Sequence, residues 1–117
     1  MKNRLLTAIA SITLLMGSII FPTMASADDV EEGKKIAFDR KLGNCLACHM
    51  IAGGSLPGNI GPPLVAMAAR FPNKFVLEDQ IYDATAINPN TMMPPFGKHN
   101  ILTDEQISLV TEFIHTL

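Results

Sequence analysis

Five consecutive residues carry the chemistry of this 117-residue chain: Cys45-Leu46-Ala47-Cys48-His49. Read as C-x-x-C-H, they are the attachment signature for a c-type haem. Two thiols separated by two residues can share one turn of helix and add to the two vinyl groups on one porphyrin edge. The adjacent imidazole of His49 then falls under the ring as an axial ligand to the iron. Other uses of the pair fit less well. A thioredoxin-like dithiol would need strands and a βαβ pattern around it, and no β-branched run follows Asp28. A zinc site would need four ligands, whereas two cysteines and three scattered histidines offer no second pair at ligand spacing. Cys45 and Cys48 are the chain's only cysteines, so one covalent haem c leaves no thiol for a disulfide or a nucleophile.

An iron held by His49 takes a second axial ligand, and the candidates are Met50, Met67, Met92, Met93, His99 and His115. Met50 is too close to His49 in the chain to reach the opposite face. Met67 falls at helical spacing from Leu64 and reads as core. His115 lies beside Phe113 and Ile114 and reads as a surface or half-buried packing residue. His99, between Lys98 and Asn100, reads as solvated. The Met92-Met93-Pro94-Pro95 string remains, and methionine is a common partner to histidine in cytochromes c. Met93 is favoured over Met92 because the two prolines directly after it stiffen the chain that presents its thioether.

These groups need an export route and a scaffold. Lys2 and Arg4 precede an uncharged run from Leu5 to Phe21, and Ala25-Ser26-Ala27 supplies the small residues a signal peptidase reads. Residues 1–27 are therefore expected to be a cleaved signal peptide, and residues 28–117 a single periplasmic domain with no membrane span after cleavage. The leader contains two basic residues and no acid, so the remaining domain is more acidic than the whole chain's formal charge of −2. That balance argues against a nucleic-acid partner, which would leave a basic stripe. A domain of this size without tryptophan has a thin core, and a covalent cofactor would serve as its staple.

The pattern after the leader is all-α. A first helix is expected from Asp29 to Lys41, with acids at its N-terminal end and Gly33 permitting a close backbone approach. A second is expected over Leu64–Arg70, stopped by Pro72. A third, over Leu77–Ala86, ends before Pro89. The last has Thr103 as its N-cap, Gln106 completing a capping box, and Ile107, Val110, Phe113, Ile114 and Leu117 as an apolar stripe. Two Gly/Pro-rich loops, 51–63 and 88–100, are left to wrap the faces of the ring. Asp79 and Asp83, four apart, read as a solvated helix face. Phe96 is expected on an apolar rim around the haem edge.

Longer strings carry a resemblance. They are Ile36–Arg40 with Gly43–His49, Pro57–Leu64, Arg70-Phe71-Pro72, Gln80–Thr85, and above all Asn88–Gly97 followed by Ile101-Leu102-Thr103. The chain resembles SoxX, the small cytochrome c subunit of the thiosulfate-oxidising Sox system, over nearly all of the sequence from Gly33 onward. The resemblance implies a small cytochrome c fold, haem on Cys45 and Cys48, and axial ligation by His49 and Met93. It further implies that the carbonyl of Pro62, in the G-P-x-L string, accepts the Nδ1–H of His49, a bond that orients the ring and raises its basicity. The implied partner is the larger cytochrome SoxA. In that family the complex oxidatively couples thiosulfate to a cysteine of the SoxYZ carrier, and SoxX receives the electrons and passes them to a downstream acceptor.

The residues fit an electron-accepting role. No spare thiol, carboxylate pair or Ser/His arrangement stands out as catalytic, and a metal with both axial positions filled by protein transfers electrons without binding substrate. Two expectations follow: a subunit of the thiosulfate-coupling enzyme, L-cysteine S-thiosulfotransferase, or a free-standing periplasmic electron shuttle.

Overall fold

The computed structural model describes residues 26–117, so all of the expected leader except Ser26 and Ala27 lies outside the described residues. Among the described residues there are four α-helices, two short 3₁₀ turns and no strand. Helix α1 spans Ala27–Phe38, α2 Met67–Arg70, α3 Lys74–Tyr82 and α4 Asp104–His115. The 3₁₀ turns are Cys45–Ala47 and Ala84–Ala86. No helix among them is long and apolar enough to cross a membrane.

The scaffold is the crossing of α1 and α4. Gly33 is buried at the crossing, and a Cβ built there would lie 2.5 Å from the carbonyl carbon of Leu109 and 3.1 Å from Phe113 Cβ. The glycine is therefore what lets the two backbones touch, which offsets its helix-propensity cost of about 1 kcal/mol. One turn further, Phe38 and Phe113 meet edge to face, with ring centroids 5.8 Å apart. Ile36 and Ala37 from α1 and Ile107, Val110 and Ile114 from α4 are buried beside this contact. The capping box at α4 is present as the sequence predicts: Thr103 Oγ1 accepts from Gln106 N at 3.2 Å, and Gln106 Oε1 accepts from Thr103 N at 3.0 Å.

The helix boundaries differ from expectation where local hydrogen bonds win over periodicity. Helix α1 begins earlier, because Ser26 Oγ accepts from Asp29 N and Asp29 Oδ2 from Ser26 N, each at 3.1 Å. The cleavage site expected before Asp28 thus falls inside the first turn of α1. The same helix stops at Phe38, where Asp39 turns extended. Helix α2 is shorter than Leu64–Arg70, because Ala66 takes a left-handed conformation at φ 51° and Leu64 N is tied to Met50 O. Helix α3 starts three residues before the expected Leu77, because Asn73 Oδ1 caps Phe75 N at 3.1 Å. It also ends sooner, since Asp83 leaves the helical region and a separate 3₁₀ turn follows. Leu77 and Ile81 are its buried face, packed toward α4.

Candidate haem site

Between the scaffold and the two loops lies a cavity of about 680 Å³. That volume falls within the range of roughly 300–1,000 Å³ usual for ligand and cofactor sites. Cys45, Cys48 and His49 line it, as do Met92 and Met93 from the opposite loop. Buried Leu64, Met67, Leu77, Ile81 and Leu102 supply an apolar wall.

The Cys/His turn is built by the backbone. Asn44 enters it in the left-handed region at φ 47°, and Cys45 O then accepts from Cys48 N at 3.2 Å and from His49 N at 2.9 Å. Both cysteines are half-buried, and no disulfide joins them. Before haem is attached, burial pushes the Cys45 thiol up to about 11, opposed by a backbone hydrogen bond and aided by a smaller contribution from Cys48.

Loop 51–63 closes on this turn through a ladder of main-chain bonds. Gly58 N donates to Leu46 O at 2.7 Å, Gly61 N to Cys48 O at 2.8 Å and Leu64 N to Met50 O at 2.9 Å. His49 Nδ1 lies 2.7 Å from Pro62 O. A carbonyl can only accept, so Nδ1 carries a proton and Nε2 is the ring nitrogen left to face a metal. Gly61 lies against the flat of the imidazole; a Cβ there would be 2.6 Å from Nδ1 and 2.9 Å from Nε2. The histidine is thus held by one hydrogen bond and by a backbone with no room for a side chain.

On the other side, Met93 is half-buried and packs against the core, while Met92 is 78% exposed although it too lines the cavity. Thr91 Oγ1 accepts from Met93 N at 3.1 Å. His99 is exposed and does not line the cavity. His115 is half-buried, with Nε2 2.9 Å from Phe71 O, and Met67 is core at 2% exposure.

Two features were not legible in the sequence. Arg70 and Arg40 both reach the cavity wall, and Arg70 Nη1 donates to Pro63 O at 3.1 Å. Isolated arginines give no motif, and only the fold brings them to one wall. Phe96 is the reverse case. It is a core residue at 9% exposure, pinned by backbone bonds to Ile81 and Leu102, so it is not on the rim. Exposed Ile60, Met92 and Ile101 occupy the rim instead.

The site fits a haem c on its own chemistry. It combines two thiols and an imidazole on one turn, an Nε2 left to face the cavity, a thioether from the second loop and an apolar wall. Two arginines add the charge that complements a macrocycle's carboxylates. Among the described residues, no three His, Cys, Asp or Glu converge as they would around a bare metal ion.

Comparison with known proteins agrees. A family model described as Cytochrome c matches residues 30–117. The chain belongs to the cytochrome c family. Its cofactor is covalent haem c, attached at the Cys45/Cys48/His49 motif, and its chemistry is electron transfer. Among solved structures, the chain is similar to the crystal structure of SoxXA from P. pantotrophus, at 30% identity and a TM-score of 0.66, covering 74% of this chain and 79% of that one. The protein is a SoxX-like cytochrome. Among curated proteins it is similar to an uncharacterized lipoprotein of Aquifex aeolicus (strain VF5), 33% identical over 76 residues. That match covers 64% of this chain and only 37% of the relative, so the chain corresponds to a part of that longer protein.

Proposed function

We propose that this cytochrome is the electron-accepting subunit of a SoxAX-type complex that oxidatively couples thiosulfate to a cysteine of a SoxYZ-like carrier. The observation that carries this reading is the likeness to the SoxXA structure, which extends over most of both chains. The site supports the same reading. It offers an imidazole and a thioether as axial donors, its two thiols are the haem attachment points, and no carboxylate or serine lines the cavity for sulfur chemistry.

Within this proposal His49 and Met93 are the axial ligands. Pro62 O holds the proton on Nδ1 of His49, which fixes the ring and strengthens Nε2 as a donor. Haem supplies one-electron transfer, and a methionine ligand favours its reduced state, as suits an acceptor. The apolar side chains of Ile60, Met92 and Ile101 at the cavity mouth give a larger SoxA-like cytochrome an uncharged surface to cover. Removal of residues 1–27 as a signal peptide places the domain, residues 28–117, in the periplasm.

The test is reduction of this haem by thiosulfate. It is expected to be slow for the isolated chain and fast only with both a SoxA-like subunit and the carrier cysteine present. A purified chain that never associates with a second cytochrome, and that exchanges electrons freely with generic oxidases, would instead establish a free-standing shuttle.

A further inference from the structure

We infer that Asp83 and Lys98, at the end of α3 and outside the cavity, act as positioning residues that set how firmly Met93 is presented at its site. The inference rests on the proposed Met93 ligation.

The ligand loop leaves from the 3₁₀ turn Ala84–Ala86 and returns to the C-terminal end of α3. On the entering side, Asn88 N donates to Ala84 O at 3.2 Å, and Thr91 N to Asn88 O at 3.0 Å. On the leaving side, Phe96 N donates to Ile81 O at 3.3 Å, and Gly97 N and Lys98 N both donate to Tyr82 O, at 3.0 and 3.3 Å. The Ile81 and Tyr82 carbonyls are ones that the end of a helix leaves without intrahelical partners, so the leaving side of the loop satisfies α3 as much as α3 holds the loop. Gly97 packs directly on the Tyr82 ring; a Cβ there would lie 2.6 Å from Tyr82 Cγ.

One ion pair locks the arrangement. Lys98 Nζ lies 2.9 Å from Asp83 Oδ2. The other oxygen of Asp83 accepts from Thr85 N at 3.1 Å and from the Thr85 hydroxyl, which fixes the carboxylate's orientation before Lys98 arrives. The Asp83 side chain is only 17% exposed, so it is a preset acceptor and not a free surface charge.

Between Lys98 and Met93 stand Pro94, Pro95, the buried Phe96 and Gly97, which is itself buried against the Tyr82 ring. Each proline fixes its φ near −65°, so displacement of Phe96–Lys98 passes along a stiff connection instead of being absorbed by rotation. Upstream of Met93, by contrast, the restraints are bonds within the loop itself, Met93 N to Thr91 Oγ1, Thr91 N to Asn88 O and Asn90 N to Asn88 Oδ1, with Asn88 N tied back to Ala84 O. Strength of axial ligation is therefore set largely from the Asp83–Lys98 side.

The experiment uses the holoprotein in the ferric state. In rising urea, the near-infrared sulfur-to-iron charge-transfer band is followed beside far-UV circular dichroism. Lys98→Met and Asp83→Asn are each expected to raise the methionine-free fraction at low urea about five-fold, the ratio change expected for loss of one modest interaction. Helix signal should persist, and Lys98→Arg should restore the parental behaviour. In both variants, loss of band and helix together at the parental midpoint would overturn the clamp. Met93→Ala separates the two claims: a band that survives it would refute the ligand assignment and the clamp with it. A band lost in Met93→Ala but unmoved by Lys98→Met and Asp83→Asn would refute the clamp alone.

Discussion

The two walls of the cavity are held by different physics. The wall carrying His49 is a steric fit: three main-chain bonds, a carbonyl on Nδ1, and glycines at positions where any side chain would collide with the Cys/His turn. The wall carrying Met93 is a tethered loop, stiffened by two prolines and fastened to α3 by carbonyl bonds and an ion pair. A steric fit is all-or-none, whereas a tether can be loosened by degrees. Under the proposed ligation, one side positions a permanent ligand and the other holds a ligand whose grip can be tuned.

That contrast can be broken at its strongest point first. Gly61→Ala should be the most damaging single change, because the new methyl would overlap the His49 ring. Overpacking of this kind costs typically about 1–3 kcal/mol where neighbours can yield. Here the neighbour is the haem ligand itself, so holoprotein yield should collapse, as read by covalent haem staining of the purified chain. Normal yield with an unchanged spectrum would show that the His49 wall is as compliant as its counterpart.

Thr91→Val should have a smaller effect. It removes the acceptor for Met93 N, a loss of about 1 kcal/mol in stability. A lower urea midpoint for the near-infrared band, with haem attachment intact, is the expected signature of a loosened tether.

The smallest effect is on acid stability. Hydrogen bonds from Thr85 and Lys98, and then the charge of Lys98, hold the Asp83 carboxyl below its usual range. A carboxylate with a depressed folded-state pKa contributes stability that is present above its unfolded value of about 3.9. That stability is lost as pH falls through the folded value. The parental protein should therefore lose part of its loop stability below about pH 4, while Asp83→Asn should lack that step and start from the lower level. Identical acid titrations for the two would contradict the role given to the pair.

How far these features could be read from sequence follows the range of the interactions that make them. The haem-binding turn, the α4 capping box and the role of Gly33 depend on neighbours in the chain or on one helix crossing, and all three were legible. The start of α3 was missed, because the Asn73 cap competes with a proline that reads as a stop. The last three residues of the region expected as that helix form a 3₁₀ turn, because Asp83 spends its side chain on Thr85 and Lys98. Asp83 looked like one of two solvated acids for the same reason: its partner lies fifteen residues away across a loop of no fixed period. Phe96 was misplaced on the rim because adjacency to the ligand string says nothing about which way a loop residue turns. Arg40 and Arg70 meet the same cavity only after the fold brings their segments together.

The account turns on the Met92–Met93 pair, where two identical side chains differ in placement, one exposed and the other packed against the core. The most direct test is the near-infrared sulfur-to-iron charge-transfer band of the ferric holoprotein in Met93→Ala and Met92→Ala. The band should vanish in Met93→Ala and persist in Met92→Ala. The reverse pattern would give the ligand role to Met92, and a band retained in both variants would contradict a ligand from this loop altogether.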